Sequence, residues 1–426
     1  LKQVSLRIMS DLEVAIDSWA RRWVGSNRIP CLSIALSAGG ELLYRGDHGW
    51  ANIESKVALS GDDTFYVASC AKFLTSVAAM QLYEKGQWSL DDSVAQFIPE
   101  FADVPGVSGT NGEIVPLERP ILMRDLLTHT AGLCPYSFVP VLRDGRPNPF
   151  TEEMGKLRAE ESLEEVSRRL ARLPLVHQPG IVWEYALGID IVGRVVEVLS
   201  GMTLDKYLEE NILRPLGMDS TCFVQHLTPE IETRLAQRYK ANDPAWMAAP
   251  PAAAFYSDAF VGPCMVPLPD RQDHVKTHGK ALNAGGGIVS SVADWLKFME
   301  CVCRGGVCAD GRRRILEPST IELMSKDHLT KACRFGPTMM MINGRMEDDL
   351  NKGFGLSVAV EKGSLGGGLF EWGGITSTMW WVDLRQKVAA VCFSHLMPSI
   401  VYPLRSELQD ILAAHLDAPP AKRCKM

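Results

Sequence analysis

The chain has no apolar run approaching the length of a bilayer-spanning helix, and no secretory signal is visible in it. It also lacks an excess of positive charge. The net charge is −7 over 426 residues, with no basic run before the last few residues, which argues against nucleic acid and membrane surfaces as partners. No G-x-S-x-G elbow occurs, so nothing signals a serine hydrolase of the strand–turn–helix type. No internal repeat is evident. Cys301, Cys303 and Cys308 cluster, but without a zinc spacing or a nearby histidine, and no metal or other cofactor is expected. The eleven cysteines are an odd number, and Cys31, Cys222 and Cys392 sit inside apolar runs. That usage fits small buried hydrophobes in a reducing, intracellular compartment.

What is present begins with composition. At 46% hydrophobic and 22% charged residues, the chain reads as an ordinary globular protein long enough for a large core. Its informative stretch is Tyr66-Val67-Ala68-Ser69-Cys70-Ala71-Lys72, followed by the apolar run Phe73 to Met80. Three residues along a helix bring Ser69 and Lys72 onto one face. A serine hydroxyl needs an adjacent base to become a nucleophile, and a lysine serves only when its surroundings lower its proton affinity. The apolar run predicts a helix buried all round, an unusual place for a lysine. The ordinary alternative is a serine N-cap with a solvent-directed lysine one turn later. This is the only S-x-x-K in the chain.

Hydrophobic periodicity predicts a helix over 9–24 and two strands, 30–37 and 41–44, joined at Gly39-Gly40. Helices are further predicted at 91–101, 122–129, 160–173, 189–199, 204–212, 292–303 and 404–415. Strands are predicted at 355–360, 369–372, 378–382 and 388–393. Strands at both ends with helices between imply an α/β (α+β) fold, one antiparallel sheet assembled from the two termini. The expected division is a sheet-bearing subdomain, 1–65 with 280–426, and a helical subdomain, 66–279. The active site would lie at the seam. Residues 241–275, rich in proline, alanine and aromatics, read as a lid-like loop.

Several segments resemble the serine β-lactamase and penicillin-binding protein superfamily over nearly the whole length. Leu126-Leu127-Thr128-His129-Thr130-Ala131-Gly132-Leu133 is similar to the LLTHTSGL segment of class C-like members. Pro179-Gly180-Ile181-Val182-Trp183-Glu184-Tyr185 resembles the segment whose tyrosine enters the active site. Pro215 to Thr221 and Gly285-Gly286-Gly287-Ile288 are further landmarks. Two departures narrow the reading. The family's Y-x-N is Tyr185-Ala186-Leu187, and the lysine or histidine of its third motif is replaced in Trp372-Gly373-Gly374. Tryptophan cannot meet a substrate carboxylate with charge, which argues against β-lactams and peptidoglycan stems. The pattern looks like family VIII carboxylesterases and fungal lovastatin-type acyltransferases of polyketide metabolism.

The resemblance implies acyl transfer through acyl-Ser69, with Lys72 and Tyr185 as a hydrogen-bonded proton-transfer pair. The backbone N–H groups of Ser69 and Ile375 would form the oxyanion hole. Trp372, Gly373, Gly374 and Tyr136 would line the substrate site, the two glycines admitting the substrate close to the strand. An ester or thioester donor and an alcohol acceptor are the implied partners, with an acyl carrier protein as a candidate donor. Hydrolysis of small esters or lactones is the alternative. β-Lactamase or D-Ala-D-Ala peptidase activity, or a non-catalytic binding role, ranks lower. His129 is read as a buried, hydrogen-bonded structural residue and Ser394-His395 as a strand end. Cys424-Lys425-Met426 resembles a peroxisomal tripeptide, against a plain solvated tail.

Overall fold

The computed structural model describes residues 2–109, 113–134, 162–242, 265–268, 282–331, 333–335 and 352–416. Tyr136, most of the lid-like loop and the C-terminal tripeptide lie outside these. Eight strands form the main sheet: β1 (Cys31–Ala38), β2 (Glu41–Asn52) and β3 (Val57–Ala58) from the N-terminal end, joined by five from the C-terminal third. A separate short strand, β4 (Thr64–Tyr66), leads to the S-x-x-K segment and pairs with β6 (Ile288–Ser291), which also pairs with β5 (Cys222–Phe223). The C-terminal strands of the main sheet are β7 (Lys352–Phe354), β8 (Ala359–Glu361), β9 (Leu369–Gly374), β10 (Thr378–Asp383) and β11 (Val388–Phe393).

The order β7-β8-β9-β10-β11-β1-β2-β3 puts the two chain ends side by side through β1 and β11, antiparallel, with Ser33 opposite Phe393. β1 and β11 are buried almost throughout because both faces of the sheet are covered. One face packs on helices α1 (Lys2–Gly25) and α6 (Leu404–His415). Trp19 and Trp23 of α1 both donate at 2.8 Å to Glu407 of α6, which ties the first helix to the last. The other face packs on α5 (Val292–Cys303) and on α2 (Ala71–Glu84). Phe73 of α2 meets Trp380 at 4.8 Å and Phe298 at 5.6 Å between ring centroids.

α2 is buried from Ala71 to Met80, as its unbroken apolar run predicts. Its polar members are each bonded. Lys72 and Thr75 reach the 284–285 segment, and Ser76 shares a 2.6 Å bond with Ser357. Helices α3 (Met123–Leu127) and α4 (Gly188–Ser200) pack beside α2, and Gly201 in left-handed conformation ends α4.

Three expected elements differ. Residues 91–101 form two 3₁₀ turns, Val94–Gln96 and Pro99–Asp103, because Ser93 caps the first and Pro99 has no N–H to continue it. The 204–212 helix changes after Leu208 into a π turn, Glu209–Leu213. The expected strand at 355–360 starts with a tight turn, Gly355 N–H to the Val358 carbonyl at 2.8 Å, so extended pairing begins at Ala359.

Candidate active site

The site is built where β4, β6 and the β9–β10 hairpin converge. β4 delivers residues 66–68, and a 3₁₀ turn, Ala68–Cys70, feeds α2. Every residue of the approach is held from elsewhere in the chain. The Tyr66 N–H donates to His395 Nε2 at 3.0 Å, and the Thr376 hydroxyl donates to the Tyr66 carbonyl at 2.8 Å. The Val67 N–H donates to Ile288 at 3.0 Å, and Thr378 Oγ1 donates to the Val67 carbonyl at 2.9 Å. Ala68 is held at φ +48°, a left-handed conformation costing about 1–2 kcal/mol for a residue with a Cβ. That bend presents Ser69, half-buried, at the start of the turn.

Ser69 does not act as a helix cap. No side-chain cap bond is made at either the 3₁₀ turn or α2, which removes the ordinary reading of its spacing to Lys72. Lys72 is 2% exposed rather than solvent-directed. Its Nζ donates to Ser69 Oγ at 3.2 Å and to the Gly285 carbonyl at 2.6 Å. It also lies 4.8 Å over the ring of Tyr185, so the contact seen between these two is Nζ to aromatic face. Tyr185, 4% exposed, comes from the turn before α4 and is tilted against Trp372 at 5.8 Å. Ser69, Lys72, Tyr185 and Trp372, scattered over the sequence, therefore form one chain of contacts. The neighbouring Cys70 thiol is no competitor as a nucleophile. Burial pushes its pKa up to about 12 against the smaller opposing effect of its bond to Thr378.

Ile375 follows the end of β9 in a turn closed by the Ser377 N–H on the Gly374 carbonyl at 3.1 Å. Among the described residues, neither the Ile375 nor the Ser69 N–H meets a backbone acceptor in its turn. The glycines before Ile375 are explained by packing. A Cβ on Gly374 would collide with the Val67 carbonyl and with Thr378 Oγ1. One on Gly373 would collide with the Arg405 guanidinium. The Cβ side of both glycines is thus occupied by protein, which explains the absence of a side chain there.

His129 corrects another expectation. It is buried as foreseen, at 3% exposure, yet neither ring nitrogen has a hydrogen-bond partner among the described residues. Its ring is boxed by Tyr185, Phe354 and Trp183 at 4.7, 5.6 and 5.8 Å. Burial first, and the Lys72 charge second, hold its pKa well below the usual value, so the imidazole is neutral. His395 is more than a strand end. Nδ1 donates to the Ala236 carbonyl at 2.9 Å while Nε2 accepts from Tyr66, which fixes its tautomer and pins β4. The glycine run at 285–287 is read in the sequence as a landmark only, and nothing local shows that its carbonyl holds Lys72. Among the described residues, no cluster of metal-ligating side chains is present. No described helix is long and apolar enough to cross a membrane.

With this geometry in place, comparison with known proteins defines the class. The family described as Beta-lactamase matches residues 16–414, and the chain belongs to that family. It is 30% identical over 361 residues to Protein Rv1367c of Mycobacterium tuberculosis, covering 80% of each chain. It is 26% identical over 412 residues to monacolin J acid methylbutanoyltransferase of Aspergillus terreus, covering 91% of this chain and 92% of that one. Among solved structures it matches EstCE1, "a hydrolase with promiscuous acyltransferase activity", with a TM-score of 0.70 at 23% identity. That match covers 96% of this chain and 99% of the other. The fold is accordingly β-lactamase/transpeptidase-like, its antiparallel sheet built from N- and C-terminal strands and flanked by helices.

Proposed function

We propose that this beta-lactamase-family serine hydrolase or acyltransferase transfers acyl groups from an ester or thioester donor to an alcohol, through a covalent acyl-Ser69. The observation that carries this reading is Lys72 Nζ at 3.2 Å from Ser69 Oγ, buried over the ring of Tyr185. Ser69 Oγ attacks the carbonyl carbon while its proton passes to the Lys72–Tyr185 pair, which accepts it in the form one proton short of an ammonium beside a phenol. The tetrahedral oxyanion is received by the Ser69 and Ile375 N–H groups. Collapse breaks the bond to the leaving alcohol or thiol, which takes the proton back, and leaves the acyl-enzyme. An alcohol then attacks as the serine did, losing its proton to the same pair and releasing the new ester.

Trp372 supports an uncharged acyl portion, since it puts an indole where a carboxylate-binding cation would otherwise stand. The similarity to a fungal methylbutanoyltransferase agrees with an acyl donor and an alcohol acceptor in secondary metabolism. The runner-up is hydrolysis, in which water replaces the alcohol. The likeness in fold to EstCE1, whose description carries both activities, favours keeping it in view. Reaction with an alkyl phosphonate followed by intact-mass analysis tests the nucleophile. The expected adduct is absent from Ser69→Ala, and no adduct on the wild-type protein overturns the reading. Short-chain acyl thioesters with a panel of alcohols then divide transfer from hydrolysis by the ratio of new ester to free acid.

A further inference from the structure

The Gly285 carbonyl accepts from Lys72 at 2.6 Å, and the peptide immediately before the one that carries it is held from two helices. The Ala284 carbonyl and the Gly285 N–H belong to one peptide group. The carbonyl accepts from Thr75 Oγ1 at 2.7 Å, and the N–H donates to Asp190 Oδ1 at 3.2 Å. Thr75 stands one turn beyond Lys72 on α2, while Asp190 comes from α4, so two helices grip the same peptide from its two ends. Gly193, one turn beyond Asp190, faces it too. A Cβ there would lie 2.6 Å from the Ala284 Cβ, so α4 donates a grip at 190 and leaves room at 193. Gly286 and Gly287 close the turn back onto the Asn283 carbonyl at 3.1 and 2.7 Å before β6 begins. Asp190 is 4% exposed, a carboxylate buried in a helix whose other inward residues are apolar or glycine.

We infer that Asp190 is a positioning residue for Lys72, acting through the Ala284–Gly285 peptide, with Thr75 as its counterpart on the other end. This rests on the proposed role of Lys72. The lysine side chain has four rotatable carbons and three donors, so one hydrogen bond to Ser69 leaves the ammonium free to swing. A carbonyl fixed in space removes that freedom and keeps Nζ within reach of Ser69 Oγ. That carbonyl shares its peptide with the Gly286 N–H, which the Asn283 carbonyl holds at 3.1 Å. The Asp190 and Thr75 bonds anchor the peptide on the other side of the Gly285 Cα, so together they keep the turn from swinging. The device therefore spends a buried carboxylate on orientation.

The test uses the full chain, with phosphonate labelling of Ser69 and turnover of a p-nitrophenyl ester. Asp190→Ala is expected to lower kcat and the labelling rate by about 10- to 100-fold with KM nearly unchanged, as a misplacement of reacting groups does. Asp190→Asn retains an acceptor oxygen at the same place and is expected to recover most of that loss. Thr75→Val, nearly isosteric and independent of Asp190 for its fold, is expected to fall in the same direction. The double variant should lose less than the product of the two, because both act on one peptide. Gly193→Ala should displace Ala284 and lower kcat likewise. Wild-type rates in both Asp190→Ala and Thr75→Val overturn the inference. So does an Asp190→Asn as impaired as Asp190→Ala, which would assign the effect to charge. Failure of the wild-type protein to label at all defeats the parent reading instead, and the two outcomes are told apart by that control.

Discussion

Gly374 lies against Val67 so closely that a single added methyl would strike the Val67 carbonyl oxygen. The end of β9 is thus in direct backbone contact with the residue two before Ser69. Gly374→Ala is expected to push the hairpin and the Ser69 turn apart, at a stability cost of about 1–3 kcal/mol and a loss in kcat on the order of 100-fold. Gly373→Ala should be milder, because its nearest neighbour is the flexible Arg405 guanidinium. Its backbone neighbour, the Thr378 carbonyl at 2.9 Å, stands further off than the Val67 carbonyl does from Gly374. Steady-state kinetics and urea melts of the two variants check the contrast. Equal effects would remove the argument.

Ile375 occupies the second position of the turn 374–377, where proline is well accommodated. Ile375→Pro deletes one N–H and little else. If that N–H receives the oxyanion, kcat should fall by about 10²–10³-fold while the melting temperature changes little. An unaffected kcat would exclude Ile375 from the oxyanion hole.

The three residues proposed to carry the chemistry act as one unit, so their losses should not multiply. Ser69→Ala, Lys72→Met and Tyr185→Phe are each expected to lower kcat by at least about 10³-fold, and the triple variant scarcely further. A Tyr185→Phe variant with near wild-type turnover would confine the phenol to a packing role beneath Lys72.

His129 supplies a prediction about acid stability. Its pKa is held well below 6.5 in the folded chain by burial and by Lys72, so the unfolded chain binds the proton first as pH falls. Stability from this group is therefore complete above the unfolded pKa and declines below it. His129→Phe keeps an aromatic ring in the box and removes two nitrogens that cost about 1–3 kcal/mol when unpartnered. Denaturant melts at pH 8 and pH 5.5 should show a smaller acid loss in the variant than in the wild type. Equal losses would mean that the imidazole is satisfied or protonated in place.

Glu371 of β9 acts lower on the pH scale. Burial works against its charge, but Arg405, Lys352 and a bond from Gln409 outweigh burial and bring its pKa down to about 2. The unfolded carboxyl takes its proton first, so this contribution is full above the ordinary carboxylate range and is lost as pH falls toward 2. Glu371→Gln should be less stable than wild type at pH 7, and the difference should shrink between pH 5 and pH 2. A constant difference would show that the ion cluster is not what couples β9 to α6.

Local sequence pattern was a good guide wherever one face or all faces of an element are buried. Val292–Cys303, Val388–Phe393 and Leu404–His415 fall where periodicity places them. It was a poor guide where a polar side chain or a proline competes with the ladder, as at Ser93 and Pro99, or where a π turn interrupts a helix after Leu208. The Ser69–Lys72 spacing was legible because the 3₁₀ turn carrying Ser69 runs straight into α2, which carries Lys72. The reason for glycine at 373 and 374 was not, since the atoms that forbid a side chain there come from Val67, Thr378 and Arg405.

By itself, the order of residues determined that α2 would be buried with a lysine inside it, that a serine would stand one turn before, and that strands from both ends would share a sheet. Only the tertiary structure decided where that lysine points. Its acceptor is a backbone carbonyl more than two hundred residues away, in a turn whose preceding peptide is held by a threonine and an aspartate on two different helices. A peptide group has no side-chain identity to read, and its direction is set by what surrounds it.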